Sequence, residues 1–314
     1  MHNRIRISSA ALGAFSAVLF ETIYGASFVF TKAVTGDYST MTIQFWRFLI
    51  AFIGFLLLSS FSPFRIRFRF HRILRALPAA LCYPVLYLVF ETMGIRLTTA
   101  SESGIIISSC PVFCILASTV FLRRKPTRLQ TAGILTALFG TALAVLAKNR
   151  EIAFSAKGYA SLFLALFVYS FYSVSVESLS PSFSGPELTG IMLMSGLLFF
   201  GSGAVVEHLL AGTLFSLFSA PFLDPVFCLS VLYLSLFSSL LAFFLNNLAI
   251  SLIGTNRTAT FSGVDTTVSI LLGSLVQHDR VSLQQILGVL LILGGVYLAN
   301  STRFSQPESG KSAP

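Results

Sequence analysis

Long apolar runs, each about the length a helix needs to cross a bilayer, alternate along this chain with short connections that hold most of the basic residues. At a rise of 1.5 Å per residue, roughly 20 apolar residues span ~30 Å of hydrocarbon. Ten runs meet that requirement and predict spanning helices near residues 10–34, 40–60, 74–95, 100–122, 129–147, 158–178, 187–210, 224–248, 256–277 and 282–300. The stretch 211–222 (AGTLFSLFSAPF) is expected as a short interfacial helix or as plain loop. The first run follows a short basic tail (Arg4, Arg6), exceeds the h-region of a cleaved signal peptide and lacks a small-residue cleavage site, so a retained helix is expected.

Composition sharpens this into a solvent. Of 314 residues 55% are hydrophobic and 11% charged, and the mean hydropathy is +0.83. One soluble core cannot hide that much apolar surface, so lipid must. The expected fold class is an all-α integral membrane protein. A net charge of +9 does not point to nucleic acid, because the basic residues sit in short loops where orientation needs them. Placing the N-terminus in the cytoplasm puts 14 of the 21 Lys and Arg on the inner side, chiefly Arg65 to Arg75 and Arg123 to Arg128. Both termini are therefore expected inside, in a cytoplasmic or inner cell membrane, with the bias strongest over the first five helices. Phe64 to Arg72 (FRIRFRFHR) reads as a positive-inside loop, with a grip on anionic headgroups as the alternative. The four cysteines lack metal-ligand or Cys-x-x-Cys spacing, so packing is expected of them and neither a metal nor another cofactor is implied.

Sliding the chain against itself by 155 residues aligns Gly94–Ala144 with Ala249–Ala299, with Ile95/Ile250, Leu97/Leu252, Gln130/Gln285, Gly133/Gly288, Leu135/Leu290 and Gly140/Gly295 identical. Duplication of a five-helix unit accounts for it. Five is odd, so the second unit enters the membrane from the opposite side, giving two inverted five-helix repeats, a recurrent carrier design. The division expected is a cytoplasmic tail over 1–9, a first repeat over 10–148, a second over 157–300 and a disordered cytoplasmic tail over 301–314.

Tyr24-Gly25-Ala26-Ser27-Phe28 through Lys32, Arg47-Phe48, Ser109-Cys110-Pro111-Val112-Phe113 and Leu129-Gln130 through Gly133 and Gly140 resemble the EamA repeat of the drug/metabolite transporter superfamily. Tyr169-Ser170-Phe171-Tyr172, Asn247-Leu248-Ala249-Ile250 and Leu283 to Gly295 repeat the pattern more loosely. The chain departs from it at Asp265-Thr266-Thr267, where the family has Glu-Pro-Val, and at Gln277-His278-Asp279-Arg280, where it has a Gly-Glu turn, so no substrate is carried over. The resemblance implies a ten-helix alternating-access carrier with a central cavity, working in export or uptake.

An ionisable group deep in a span is costly and is a functional candidate on that ground alone. Glu21 lies ~16 Å into the first span and Asp265 at a similar depth in the ninth. Either acid suits a cationic or amine-bearing substrate or a coupled proton, and the alternative is a structural hydrogen bond. Arg47, ~10 Å below the outer surface, and Glu91, roughly 6 Å below it, are depth-matched for a structural ion pair. The repeat shift carries Glu91 onto Asn246; Asn247 beside it matches the family pattern as a substrate hydrogen-bond donor. Tyr24, Tyr83 and Tyr169 are further candidates to line the cavity, with belt or packing roles as the alternative. Pro84 and Pro111 are expected to kink their helices, and Gly133, Gly140, Gly288, Gly294 and Gly295 to let helices approach closely.

The function expected is a secondary carrier for a small metabolite such as an amino acid or derivative, with export favoured and a proton as a coupling candidate, in a monomer or homodimer. Enzymatic activity has no visible foundation, since the chain contains no His-Glu-x-x-His, nucleophile elbow or P-loop. The other rival is a non-transporting receptor or scaffold.

Overall fold

A computed structural model describes residues 9–60, 70–121, 127–146, 155–279 and 281–300. All regular structure among them is helical. Among the described residues eight helices are long and apolar enough to cross a membrane: α1 (Ser9–Thr35), α2 (Thr40–Ser59), α3 (His71–Leu97), α4 (Ala100–Phe121), α6 (Ala156–Leu179), α7 (Gly185–Leu210), α9 (Pro225–Ile253) and α10 (Thr255–Val276). Two further apolar helices, α5 (Arg128–Leu146) and α11 (Leu283–Asn300), lie where the fifth and tenth spans are expected. The 211–222 stretch resolves into helix α8 (Leu214–Leu223), held against α2 by a 2.8 Å hydrogen bond from the Trp46 indole to the Leu217 carbonyl. The two tails, most of the Phe64 to Arg72 segment and the cluster from Arg123 to Lys125 lie outside the described residues.

Polar side chains at the helix ends explain where the helices begin. A free N-terminal amide in a membrane protein needs an acceptor, and Ser39, Ser184 and Asp224 supply one at α2, α7 and α9. Thr99 and Glu102 form a reciprocal capping box at α4. The same box opens α5 and α11. Gln130 accepts from the Thr127 amide at 2.8 Å while Thr127 Oγ1 accepts from the Gln130 amide at 3.2 Å. Gln285 and Ser282 reproduce both distances. A repeat identity legible in the sequence, Gln130 with Gln285, is thus a pair of helix starts.

Exchange of the two halves leaves the packing pattern unchanged. The shift of 155 residues pairs α3 with α9, α4 with α10 and α5 with α11, and chain order pairs α1 with α6 and α2 with α7. α1 packs on α9 as α6 packs on α3, and α1 packs on α10 as α6 packs on α4. α2 meets α7, α4 meets α10 and α5 meets α11, each helix touching its own mate. The α5·α11 crossing is close: a Cβ on Gly140 would lie 2.7 Å from the Gly288 carbonyl oxygen, and one on Gly295 would lie 2.5 Å from that of Gly133. Gly294, also expected to pack, faces open space.

Both halves interrupt their helices at matching places. α3 carries a π-helical turn over Leu81–Leu86, with Tyr83 in extended backbone and a cis Tyr83–Pro84 bond, and α9 carries one over Leu234–Leu241. The shift lays the first turn inside the second. α4 breaks at Ser108–Ser109, just before Pro111, and α10 at Thr260–Phe261. Both kinks expected from the prolines are present, and the second half makes its own without proline.

Candidate functional site

The helix interruptions surround the charged core. Glu21 and Tyr24 come from α1, Arg47 from α2, Tyr83 and Glu91 from α3, Tyr169 from α6, Asn247 from α9 and Asp265 from α10, and all eight side chains are buried. Exposures of 6% for Glu21, 2% for Glu91, and 1% each for Arg47 and Asp265 exclude simple surface charges. α1 reaches α10 through Gly25, where a Cβ would sit 2.5 Å from the Asp265 carbonyl oxygen and 2.8 Å from its Oδ1. Only glycine lets these helices come that near, and the closeness brings Asp265 into line with Glu21.

Asp265 lies within electrostatic reach of Glu21 and Glu91, and Glu91 within reach of Arg47. The direct Arg47–Glu91 ion pair expected from matched depth is not formed. Arg47 Nε donates to Ser239 Oγ at 2.6 Å and Nη2 to Ser238 Oγ at 2.9 Å, while Glu91 accepts from the Tyr87 hydroxyl at 2.9 Å. The reason is the π turn of α9, which turns two adjacent serines toward α2, nearer the guanidinium than any carboxylate. The guanidinium is therefore held by neutral oxygens, and its charge stays available to the core.

Tyrosines fill the space between these charges. The Tyr83 ring centroid is 4.7 Å from those of Tyr172 and Phe243, 4.9 Å from Tyr87 and 5.6 Å from Tyr169. Tyr24 joins through Tyr87 at 6.3 Å. The Tyr24 and Tyr83 hydroxyls, Asp265 Oδ1, Asn246 Nδ2 and Gln44 Oε1 are buried without hydrogen-bond partners. A buried polar atom with no partner forfeits about 1–3 kcal/mol, so these atoms make the charged core the candidate place for a ligand or water. Cys110 and Cys114 lie 3.7 Å apart at their sulfurs, and Cys110 is within electrostatic reach of Glu21 and Asp265. Among the described residues no three His, Cys, Asp or Glu side chains group to hold a metal.

Asn247 stands apart from this group. Its Oδ1 accepts from the Tyr172 hydroxyl at 2.7 Å, and its Nδ2 donates to Thr189 Oγ1 at 3.1 Å and approaches Met192 Sδ at 3.3 Å. The amide is spent tying α6, α7 and α9 together. Its neighbour Asn246, which sequence reasoning noted only as the mate of Glu91, accepts from the Tyr169 hydroxyl at 3.2 Å and keeps Nδ2 free. Ser238 and Ser239 were missed altogether. The signal was positional: the repeat shift carries Tyr83–Pro84, the interruption of α3, onto these two residues.

The profile of the EamA-like transporter family matches residues 11–146 and again 156–301. A protein of Bacillus subtilis (strain 168) named as an uncharacterized transporter, YcxC, is 29% identical over 286 residues, covering 91% of each chain. A second from the same organism, the uncharacterized transporter YetK, is 25% identical over 212 residues, 65% of this chain and 61% of its own. A crystal structure 18% identical in sequence shares the fold, with a TM-score of 0.64 over 93% of this chain and 96% of the other.

Proposed function

Because the chain belongs to the EamA-like transporter family of the drug/metabolite transporter superfamily and is a multi-pass membrane transporter, we propose that it is a ten-helix secondary carrier of amino acids or close amine-bearing derivatives. In this reading α5 and α11 complete two inverted five-helix repeats, and the interrupted helices flank a central site alternately open to each side. The termini are cytoplasmic, the membrane is the cell membrane, and the monomer is the working unit. Transport, not catalysis, is its activity.

The observation that carries the substrate class is the unequal charge of the core: three buried carboxylates, Glu21, Glu91 and Asp265, against one arginine held by serines. A zwitterion answers both signs. Its carboxylate is offered the Arg47 guanidinium, its ammonium the Glu21–Asp265 pair, and its side chain the Tyr24–Tyr83–Tyr169 rings, with Asn246 as a hydrogen-bond donor. One substrate ammonium still leaves surplus negative charge in a medium where an uncompensated ion is expensive. Protons on the acids balance it, and the one displaced from the Glu21–Asp265 pair when the ammonium binds returns when the ammonium leaves, so substrate and proton are exchanged and export is the working direction.

The test is uptake and counterflow in proteoliposomes with labelled amino acids and related amines, with and without an imposed pH gradient. Saturable flux that drops at least tenfold in Asp265→Asn and Glu21→Gln protein, the scale of one lost charge-assisted hydrogen bond of ~1.5–3 kcal/mol, is the expected result. Folded protein that gives no flux above empty vesicles across the panel would leave receptor or scaffold as the better reading.

A further inference from the structure

A cavity of about 310 Å3 lies away from the central site, between α2, α7 and α9, among Phe55, Leu58, Leu236, Leu240 and Phe244. That is roughly twice the ~150 Å3 apolar cavity known to admit benzene and within the range of ligand pockets. Leu58 is 50% exposed and Leu236 39%, so the cavity opens on the outer face of the bundle, which in a membrane is lipid. Two hydroxyls also line it, and both are committed elsewhere. Ser59 donates to the Leu56 carbonyl at 2.9 Å; Thr189 donates to the Gly185 carbonyl at 2.9 Å and accepts from Asn247. The groove offers hydrocarbon and aromatic surface and nothing that an amine or carboxylate would choose.

The mouth has a sign. Ser59 closes α2 and Pro186 opens α7, so one end of the groove lies at the helix termini. There the first turn of α3, which packs on α7, brings Arg72 into a pair with Glu187, its Nε 2.7 Å from Oε1. Arg75, one turn further along α3, is exposed and has no carboxylate partner among the described residues.

Arg72 is fully committed, with Nη2 also on Glu187 Oε2 at 2.9 Å and the guanidinium over the Phe183 ring, which leaves Arg75 as the free positive charge. We propose that the groove is a lipid site: one acyl chain of an anionic phospholipid lies along it, with the headgroup phosphate at Arg75. The site faces the mechanism from behind. Leu236, Leu240 and Leu241 belong to the same π turn of α9 that presents Ser238 and Ser239 to Arg47. A chain in the groove buttresses that turn.

The test reads lipid retention on the purified full-length protein by native mass spectrometry, so it does not depend on transport. Wild-type protein should retain one phosphatidylglycerol in preference to phosphatidylcholine by about fivefold, the equivalent of the ~1 kcal/mol a basic residue contributes at an anionic surface. Arg75→Gln should erase that preference, and Leu240→Trp, which fills the groove, should abolish retention of either lipid. Should Leu240→Trp fail to fold, a diazirine-bearing phosphatidylglycerol on wild-type protein should label α2 and α9 around Phe55 and Leu240. No retained lipid, equal retention of both lipids, labelling confined to other helices, or retention unchanged in a folded Leu240→Trp protein would overturn the proposal.

Discussion

Asn246 and Asn247 are adjacent, both fully buried and chemically identical, yet they have different work. Removing Asn247 takes the acceptor from the buried Tyr172 hydroxyl. Asn247→Ala should therefore cost about 1–3 kcal/mol of stability, visible as a lowered Tm, with the apparent KM nearly unchanged. Asn246→Ala strands the Tyr169 hydroxyl and should cost a similar amount, but in the substrate role proposed above for its unpaired Nδ2 it should in addition raise KM. The same logic separates arginine from lysine at position 47. A lysine cannot reach two serines with a fixed fork, so Arg47→Lys should lose most flux despite keeping its charge, and equal flux would sink the assignment of this group. The ionisable residues in the spans were legible in the sequence because charge in an apolar run is conspicuous. Their partners were not, since depth along a helix says nothing about its rotation; that is why Arg47 and Glu91 looked paired and are not.

That the helices exist was more legible than where they begin, and the caps that set their starts carry their own tests. Thr127→Ala and Ser282→Ala remove matching capping boxes and should each cost ~1 kcal/mol, by about the same amount, in a thermal unfolding assay. The helix α9 begins on Asp224, whose carboxylate takes the Val226 and Phe227 amides at 2.8 and 3.1 Å and the Tyr38 hydroxyl at 3.0 Å. These bonds, the Phe227 amide foremost, hold its pKa below the ordinary Asp value of ~3.9. A depressed folded value means the stabilisation is present above the unfolded pKa and is lost as pH falls through the folded one. The Asp224 carboxyl signal in an NMR titration should accordingly have its midpoint below that of an exposed aspartate; a midpoint at or above it contradicts the cap. The π turns were only half legible. Pro84 announces the one in α3, whereas nothing in Leu234–Leu241 does, because a π turn adds a residue without needing a special one.

At the scale of the molecule both ends are latched. At one, Lys32 donates to the Ile95 and Arg96 carbonyls at 3.0 and 3.1 Å and to that of Thr98, Gln277 reaches the Val29 carbonyl at 2.8 Å, and Asp279 accepts from the Ser101 amide at 3.0 Å. At the other, Arg72 holds Glu187, and Glu177 accepts from the Thr255 amide at 2.9 Å. A carrier of the kind proposed releases each latch in turn, so a Val29→Cys/Gln277→Cys pair bridged by a short reducible bis-thiol linker should stop flux and reduction should restore it. The pairing of α5 with α11 has a consequence of another kind, in biogenesis. Gly140 and its partner Gly288 are separated by roughly 150 residues, which at ~5–20 residues per second is about 7–30 s of synthesis. In the ten-span arrangement proposed above, α5 waits in the membrane through that interval with its glycine face bare, available to chaperones, to the quality-control machinery or to a neighbouring chain. The arrival of α11 ends this exposure, so a message truncated just before Leu283 should yield a product that is inserted and selectively degraded.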